Sequence, residues 1–434
     1  MPRVLSLCQS ALTAYAGLSI FVNVPQMTAL AHVKIAENGM SIKERVVPHS
    51  RTADGPTSAL PQAYFTSPEW HQRDLDFVFK RRWLYVDHSS RLAHAGDFIV
   101  YELEKESVLI TRDADRRIHA FHNTCRHRGA RICAKASGNA KAFTCPNHAW
   151  TYGLDGRLKS ASHLPDLDKS LYSTVPVWVE EWNGLIFINL AEEKPRPVAE
   201  HLRDADIGRY ALDRTKVIFE RTYVVNANWK VCAETFNECY HCPVAHPKWC
   251  KLIDPLKHLE AFDDAHTGHH GTGADDDFVI YTNDMRDSAI DPATRTFTMD
   301  GQVACTKPLG NDGSWHEEMA GLSWYPQFGM YLFPDHAYVS SWKPVAVDKT
   351  LYRTIWMVHE DAVEGRDYEV EKLVALVNLV NEEDTRVCEN AQRGIESSGY
   401  RPGPYHPVFE APVRGFNKIY LSQVGANPHV GSAG

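Results

Sequence analysis

Two stretches of this 434-residue chain carry side chains whose types and spacing suit metal chemistry. The first is Cys125-Arg126-His127, followed 17 residues on by Cys145-Pro146-Asn147-His148. Two thiolates and two imidazoles make a closed set of soft and borderline donors. Zinc sites of that composition group like with like, opening C-x2-4-C and closing H-x3-5-H. Here each stretch supplies one cysteine and one histidine. That allotment suits a [2Fe–2S] cluster with sulfur donors on one iron and nitrogen donors on the other. The second stretch holds His241 and His246, with Pro243 between them. The proline ends a regular helix, so two imidazoles that a continuous helix would splay can converge. With one carboxylate they would form a facial triad, which leaves positions on Fe(II) open to O2. Alone, such a pair is more often two surface or packing histidines.

The elements that must position these groups can be read from patterning. Ser67-Pro68-Glu69 starts a helix with Leu75, Val78, Phe79 and Trp83 at helical spacing. Phe98–Leu103, Val108–Thr111 and Ile118–Phe121 are short apolar runs divided by charged turns, an antiparallel meander that would hang the first two metal loops. Val175–Asn189 adds two strands before a proline-containing boundary near residues 193–197. Beyond it, Val217–Val225, Gly321–Ser341 and Leu351–His359 read as strands, Asn228–Tyr240 and Tyr368–Arg393 as helices. Residues 263–314, rich in Asp, Gly, Thr and His, read as a surface excursion or a lid. The fold class is α+β, an all-β domain followed by an α+β domain.

The first pair of loops, with His148-Ala149-Trp150-Thr151-Tyr152-Gly153 after it, resembles the Rieske motif. Some respiratory Rieske proteins carry an extra cysteine in each loop. Those places are Ala130 and Asn147 here, so the resemblance is to the soluble oxygenase branch. The second stretch, N-W-K from Asn228 through Glu234, Glu238, Tyr240, His241, His246 and Pro247, resembles the mononuclear-iron site of Rieske non-haem iron oxygenases. The resemblance covers roughly residues 60 to 425. It implies a [2Fe–2S] cluster on Cys125, His127, Cys145 and His148, and iron on His241, His246 and a carboxylate of the long C-terminal helix. Register favours Asp384, with Glu383 as runner-up. Glu238 falls where the family has a bridging carboxylate, linking a cluster histidine of one subunit to His241 of its neighbour. The resemblance also implies a helix-grip (Bet v1-like) catalytic domain and a homotrimer. The expected divisions are a leader at 1–48, disordered or preceding a true start at Met27 or Met40, a Rieske domain at 49–195 and a catalytic domain at 196–434.

Glu rather than Asp at 238 looks more like the branch that oxidises quaternary ammonium compounds such as betaines, choline, carnitine and stachydrine. That implies hydroxylation of an N-methyl or adjacent carbon with release of formaldehyde; the alternative is an aromatic-ring hydroxylase. A cationic substrate calls for an aromatic box, and Trp324, Tyr325, Phe328, Tyr331 and Phe333 are the strand aromatics considered for it. No Gly-rich dinucleotide fingerprint follows a strand and no plant-type ferredoxin motif is present, so a separate NAD(P)H-dependent flavin or ferredoxin reductase must supply electrons. Net charge of −9 without a basic run gives nucleic-acid binding no support. The apolar stretch Ala11–Val24 is too short for a bilayer crossing of about 20 residues. Ten cysteines are too few for a disulfide-built scaffold, and the four within 19 residues, Cys232, Cys239, Cys242 and Cys250, show no regular pairing pattern, which reads as a reducing, cytoplasmic setting.

Overall fold

The computed structural model describes residues 56–203, 205–254, 279–282, 290–310 and 313–425, so the expected leader lies outside the described residues. Helix α1 (Pro68–Asp74) starts where Ser67 accepts a hydrogen bond from the Glu69 amide at 3.2 Å, with Pro68 in the first turn. It continues as a π-turn over Leu75–Phe79 and buries Leu75, Val78 and Phe79. A strand not anticipated from sequence, β1 (Leu84–His88), follows and is buried throughout. With no alternation of polar and apolar residues, its period was invisible.

The meander is β2 (Asp97–Leu103), β3 (Glu106–Arg112) and β4 (Ile118–His122), extended by β5 (Ser137–Asn139) in a four-stranded sheet ordered β4-β3-β2-β5. A smaller sheet joins β6 (Phe143–Thr144), β7 (Thr151–Tyr152) and β8 (Leu158–Ser160). Between these sheets Phe98, Leu109, Phe121, Phe143, Trp150 and Tyr152 form a core that includes Cys125 and Cys145. Strands β9 (Trp178–Trp182) and β10 (Leu185–Asn189) form a hairpin, and β10 pairs with β1.

The second half is built on a six-stranded antiparallel sheet ordered β11-β16-β15-β14-β13-β12. Its members are β11 (Thr215–Val225), β12 (Val279–Thr282), β13 (Ala320–Trp324), β14 (Phe328–Leu332), β15 (Ala337–Ala346) and β16 (Lys349–His359). One face packs on β1 and β10 through Tyr85, Phe187, Trp324, Phe328 and Met330. The other meets the long helix α4 (Val370–Ile395), whose Leu373, Val374, Leu376 and Val377 pack with Phe333, Tyr338 and Trp356. Helices α2 (Trp229–Phe236) and α3 (Cys242–Ala245) carry the stretch that resembles an iron site, and α5 (Ala411–Gln423) closes the described chain. The stretch 263–314 is not simply a surface excursion. Within it β12 is an edge strand, and Phe297, Cys305 and Leu309 are wholly buried, although 255–278, 283–289 and 311–312 lie outside the described residues.

Trp229 and Lys230 of the N-W-K string turn into the core, where Asp74 of α1 receives both. Tyr420 of α5 donates to the same carboxylate at 2.8 Å, and all three helices meet there. The Lys230–Asp74 pair is completely buried. Removing one partner strands a charge, so Asp74→Ala should cost roughly 3–5 kcal/mol. Asp74→Leu with Lys230→Met, which removes both charges, should recover most of that loss in a thermal melt.

Candidate active site

The four candidate cluster residues sit on two tight loops. In the first, Gly129 donates to the Cys125 carbonyl at 2.9 Å and takes φ +76°, a left-handed conformation that glycine adopts without penalty. In the second, Ala149 donates to the Cys145 carbonyl at 3.1 Å and is itself left-handed. Cys125 and Cys145 are buried, whereas His127 and His148 are exposed, their rings 4.6 Å apart. The sulfurs face inward and the imidazoles outward, which fits a cluster whose two irons take different donors. His127 stacks on Trp150 at 5.1 Å, and the Tyr152 hydroxyl lies 3.3 Å from Cys125 Sγ. A hydrogen bond to a ligating sulfur is one of the means by which a protein tunes cluster potential.

Helix α2 is capped by Asn228, which accepts from the Lys230 amide at 3.0 Å, and stops at Phe236, earlier than the pattern suggested. The chain then turns, with Glu238 accepting from the amides of Tyr240 and His241, and restarts as α3 on Pro243. Across that break His241 Nε2 and His246 Nε2 come within 3.1 Å. Asp384 Oδ1, from α4, lies 3.2 Å from the first and 3.0 Å from the second. Three donors on one ion at about 2.1 Å and right angles are ~3.0 Å apart, so this triangle has the dimensions of one face of a six-coordinate metal.

Each imidazole is held from behind. Glu238 Oε1 accepts from His241 Nδ1 at 2.5 Å, and Glu383 Oε2 accepts from His246 Nδ1 at 2.9 Å. Glu383, the runner-up for the third donor, thus lies on the far side of His246 while Asp384 points into the triangle. Burial disfavours charge on His241, but Asp384 and Glu238 outweigh it and raise its pKa to about 10. Burial likewise pushes Asp384 up, and the two imidazoles hold it below the ordinary carboxylate value. Three carboxylates around two imidazoles suit a dication.

A cavity of about 180 Å³ opens beside the triangle. Its wall includes Phe236, Trp249, Tyr331, Tyr338, Trp342 and Tyr352, with Gly321, Ser323, Gly329 and Ser340 giving room between them. Of the five aromatics considered from sequence, only Tyr331 is there. Side chains alternate across a strand. On β14 residues 329 and 331 face the cavity, and Phe328, Met330 and Leu332 face the opposite core. Trp324 lies on that far face too, Tyr325 packs on Phe416, and Phe333 belongs to the core under α4. Sequence reading also missed a disulfide between Cys239 and Cys242, although their C-x2-C spacing was visible.

One chain thus presents a cluster site suited to passing single electrons and a metal triangle open on the side of a cavity, the equipment of an oxygen-activating oxidoreductase. Residues 82–176 match the model of the Rieske [2Fe-2S] domain, and residues 212–426 that of the ring hydroxylating alpha subunit catalytic domain. The chain is 33% identical over 387 residues to the glycine betaine monooxygenase oxygenase subunit of Pseudomonas aeruginosa, covering 84% of this chain and 89% of that protein. It is 30% identical to the carnitine monooxygenase oxygenase subunit of Acinetobacter baumannii, over 79% and 86%. Among solved structures it is similar to the quaternary ammonium Rieske monooxygenase CntA in complex with gamma-butyrobetaine, with TM-score 0.65, 25% identity and coverage of 85% and 96%. The chain belongs to the Rieske non-haem iron monooxygenases, as a catalytic alpha subunit that binds a [2Fe–2S] cluster and mononuclear iron. Among the described residues no helix is long and apolar enough to cross a membrane.

Proposed function

We propose that this oxygenase subunit hydroxylates an N-methyl group, or the adjacent carbon, of a betaine-type quaternary ammonium compound. The observation that carries this is the cavity wall. It offers six aromatic side chains, and its charged carboxylates are Glu238 and Asp384, with no Lys or Arg among the described lining residues. Ring faces attract N-methylated cations, and each contact is worth about 2 kcal/mol or more once water is excluded. The named relatives, which act on glycine betaine and carnitine, support the same class.

In this reading Cys125, Cys145, His127 and His148 hold the cluster, and His241, His246 and Asp384 hold the iron. The two groups, when bound, supply single electrons and activation of O2. Glu238 and Glu383 orient the ligand imidazoles, and Glu238 also faces a cluster histidine of a neighbouring subunit, which requires a homo-oligomer, here a trimer. The aromatic wall holds the cationic end and keeps water from the reacting carbon. The balance is one substrate, one O2, two electrons and two protons, giving hydroxymethyl product and water. The product then loses formaldehyde to leave the demethylated amine. The electrons come from a separate NAD(P)H-dependent reductase in the cytoplasm. The division of labour falls near residue 195, between the cluster domain and the catalytic domain.

A single-turnover assay tests this. Reduced protein is given O2 and a panel of methylated amines and aromatic acids, and formaldehyde and hydroxylated products are quantified. Formaldehyde from a betaine supports the reading; a diol or phenol from an aromatic acid replaces it with ring hydroxylation. The cavity makes a further prediction. A Cβ at Gly329 would meet the Trp342 ring at 3.9 Å, an ordinary contact, so the alanine variant should fold normally. Gly329→Val, which adds two methyl groups more, should raise KM for the cation roughly tenfold with iron content unchanged.

A further inference from the structure

The segment between Glu238 and His246 carries sulfur that the proposed chemistry does not use. Cys239 and Cys242 are joined as a disulfide spanning Tyr240 and His241, and both residues line the cavity. Cys242 Sγ lies 4.0 Å from His241 Nε2. The donor atoms of His241, Cys242 and His246 all fall within 4.8 Å of one another. Sulfur at about 2.3 Å and nitrogen at about 2.05 Å on one tetrahedral ion are roughly 3.6 Å apart. Against that spacing the sulfur stands about 0.4 Å too far from His241 Nε2 and no more than about 1.2 Å too far from His246, a movement within reach of a turn about the Cys242 Cα–Cβ bond. The disulfide forbids that turn and occupies the sulfur.

We propose that Cys242 is a redox-released fourth metal donor, withheld by the disulfide to Cys239 and freed when that disulfide is reduced. The proposal rests on the triad reading of His241, His246 and Asp384. Release is thiol–disulfide exchange with an external dithiol, which gives up two electrons and two protons and is oxidised to its own disulfide. Cys239 and Cys242 become thiols, and the Cys242 thiol loses its proton on binding a metal. The disulfide form presents two imidazoles and a carboxylate, an open set suited to O2 chemistry. The dithiol form presents two imidazoles, a carboxylate and a thiolate, a closed tetrahedral set of the kind that holds zinc and leaves no position for a reactant.

Cobalt(II) is the probe, read by X-ray absorption at the cobalt edge so that the cluster's sulfur does not contribute. Full-length protein is stripped of mononuclear iron with a mild chelator, kept either oxidised or with excess dithiothreitol, and loaded with one equivalent of cobalt. The expected result is nitrogen and oxygen scattering alone in the oxidised protein, with one sulfur per cobalt near about 2.3 Å after reduction. Cys239→Ser, which leaves Cys242 unpaired, should show the sulfur under both conditions, and Cys242→Ser under neither. Cobalt bound through nitrogen and oxygen alone in reduced wild-type protein overturns the proposal and leaves the triad standing. Sulfur persisting in Cys242→Ser also overturns it, since another thiol, such as Cys250, would then be the donor. If His246→Ala binds cobalt as tightly as wild type, the triad reading falls, and the proposal with it.

Discussion

Asp384→Asn protein should retain the full visible spectrum of its [2Fe–2S] cluster, lose its mononuclear iron on gel filtration, and turn over roughly a thousandfold more slowly, equivalent to about 4 kcal/mol. Among the described residues, Asp384 Oδ1 is the one anionic atom within 3.2 Å of both His241 Nε2 and His246 Nε2. An amide keeps the shape and discards the charge that offsets a dication. The cluster loops lie in a separate core of Phe98, Phe121, Phe143 and Trp150, so they should not register the change. Glu383→Gln is the control. Its carboxylate accepts from the far nitrogen of His246 rather than facing the triangle, so iron affinity should fall by about 10–100-fold rather than vanish. Stoichiometric iron in Asp384→Asn, with loss in Glu383→Gln, would exchange the two roles.

Glu238→Gln should separate electron delivery from metal binding. The carboxylate accepts from His241 Nδ1 at 2.5 Å and from the backbone amides of Tyr240 and His241, so it fixes the His241 ring and the turn that carries it. Glutamine can make part of that network through its carbonyl oxygen. Iron content should therefore fall only modestly. Oxidation of a pre-reduced cluster in a single turnover with substrate and O2 should slow by about 100-fold, the upper end for loss of a group that supports a ligand. Normal cluster oxidation in an iron-replete Glu238→Gln protein would rule out the bridging role.

The proposed cluster site was legible in the sequence because each pair of candidate donors lies within four residues on one loop, where spacing alone dictates proximity. The proposed triad was less so. His241 and His246 converge because α2 stops at Phe236 and α3 restarts on Pro243, and Pro243 signalled that break. The carboxylate comes from 138 residues beyond His246, and only resemblance suggested which acid it was. A physical signal existed. Leu373, Val377, Asn381, Asp384 and Cys388 form one buried helical stripe, and Glu383 falls outside it. Trp229 and Lys230 have a structural part that the motif does not announce. They sit in an iron-site motif, yet their partner is Asp74, 155 and 156 positions earlier, a contact that no local pattern encodes. Helix α5, which delivers Tyr420 to the same carboxylate, was not anticipated either.

The alternation along β14 and β15 bears on how such an enzyme diversifies. Residues 329, 331, 338, 340 and 342 line the cavity beside the triangle, while their immediate neighbours 328, 330, 332, 337 and 339 hold the sheet against the other half of the molecule. Changes to one set are sterically shielded from the other by the backbone between them. Their effects should therefore combine almost additively, as those of non-contacting residues do. A lineage can exchange one substrate for another by drifting at every second position, with little threat to folding. A library that randomises only the cavity-facing positions should accordingly contain a far larger fraction of well-expressed variants than one of equal size that randomises the intervening ones.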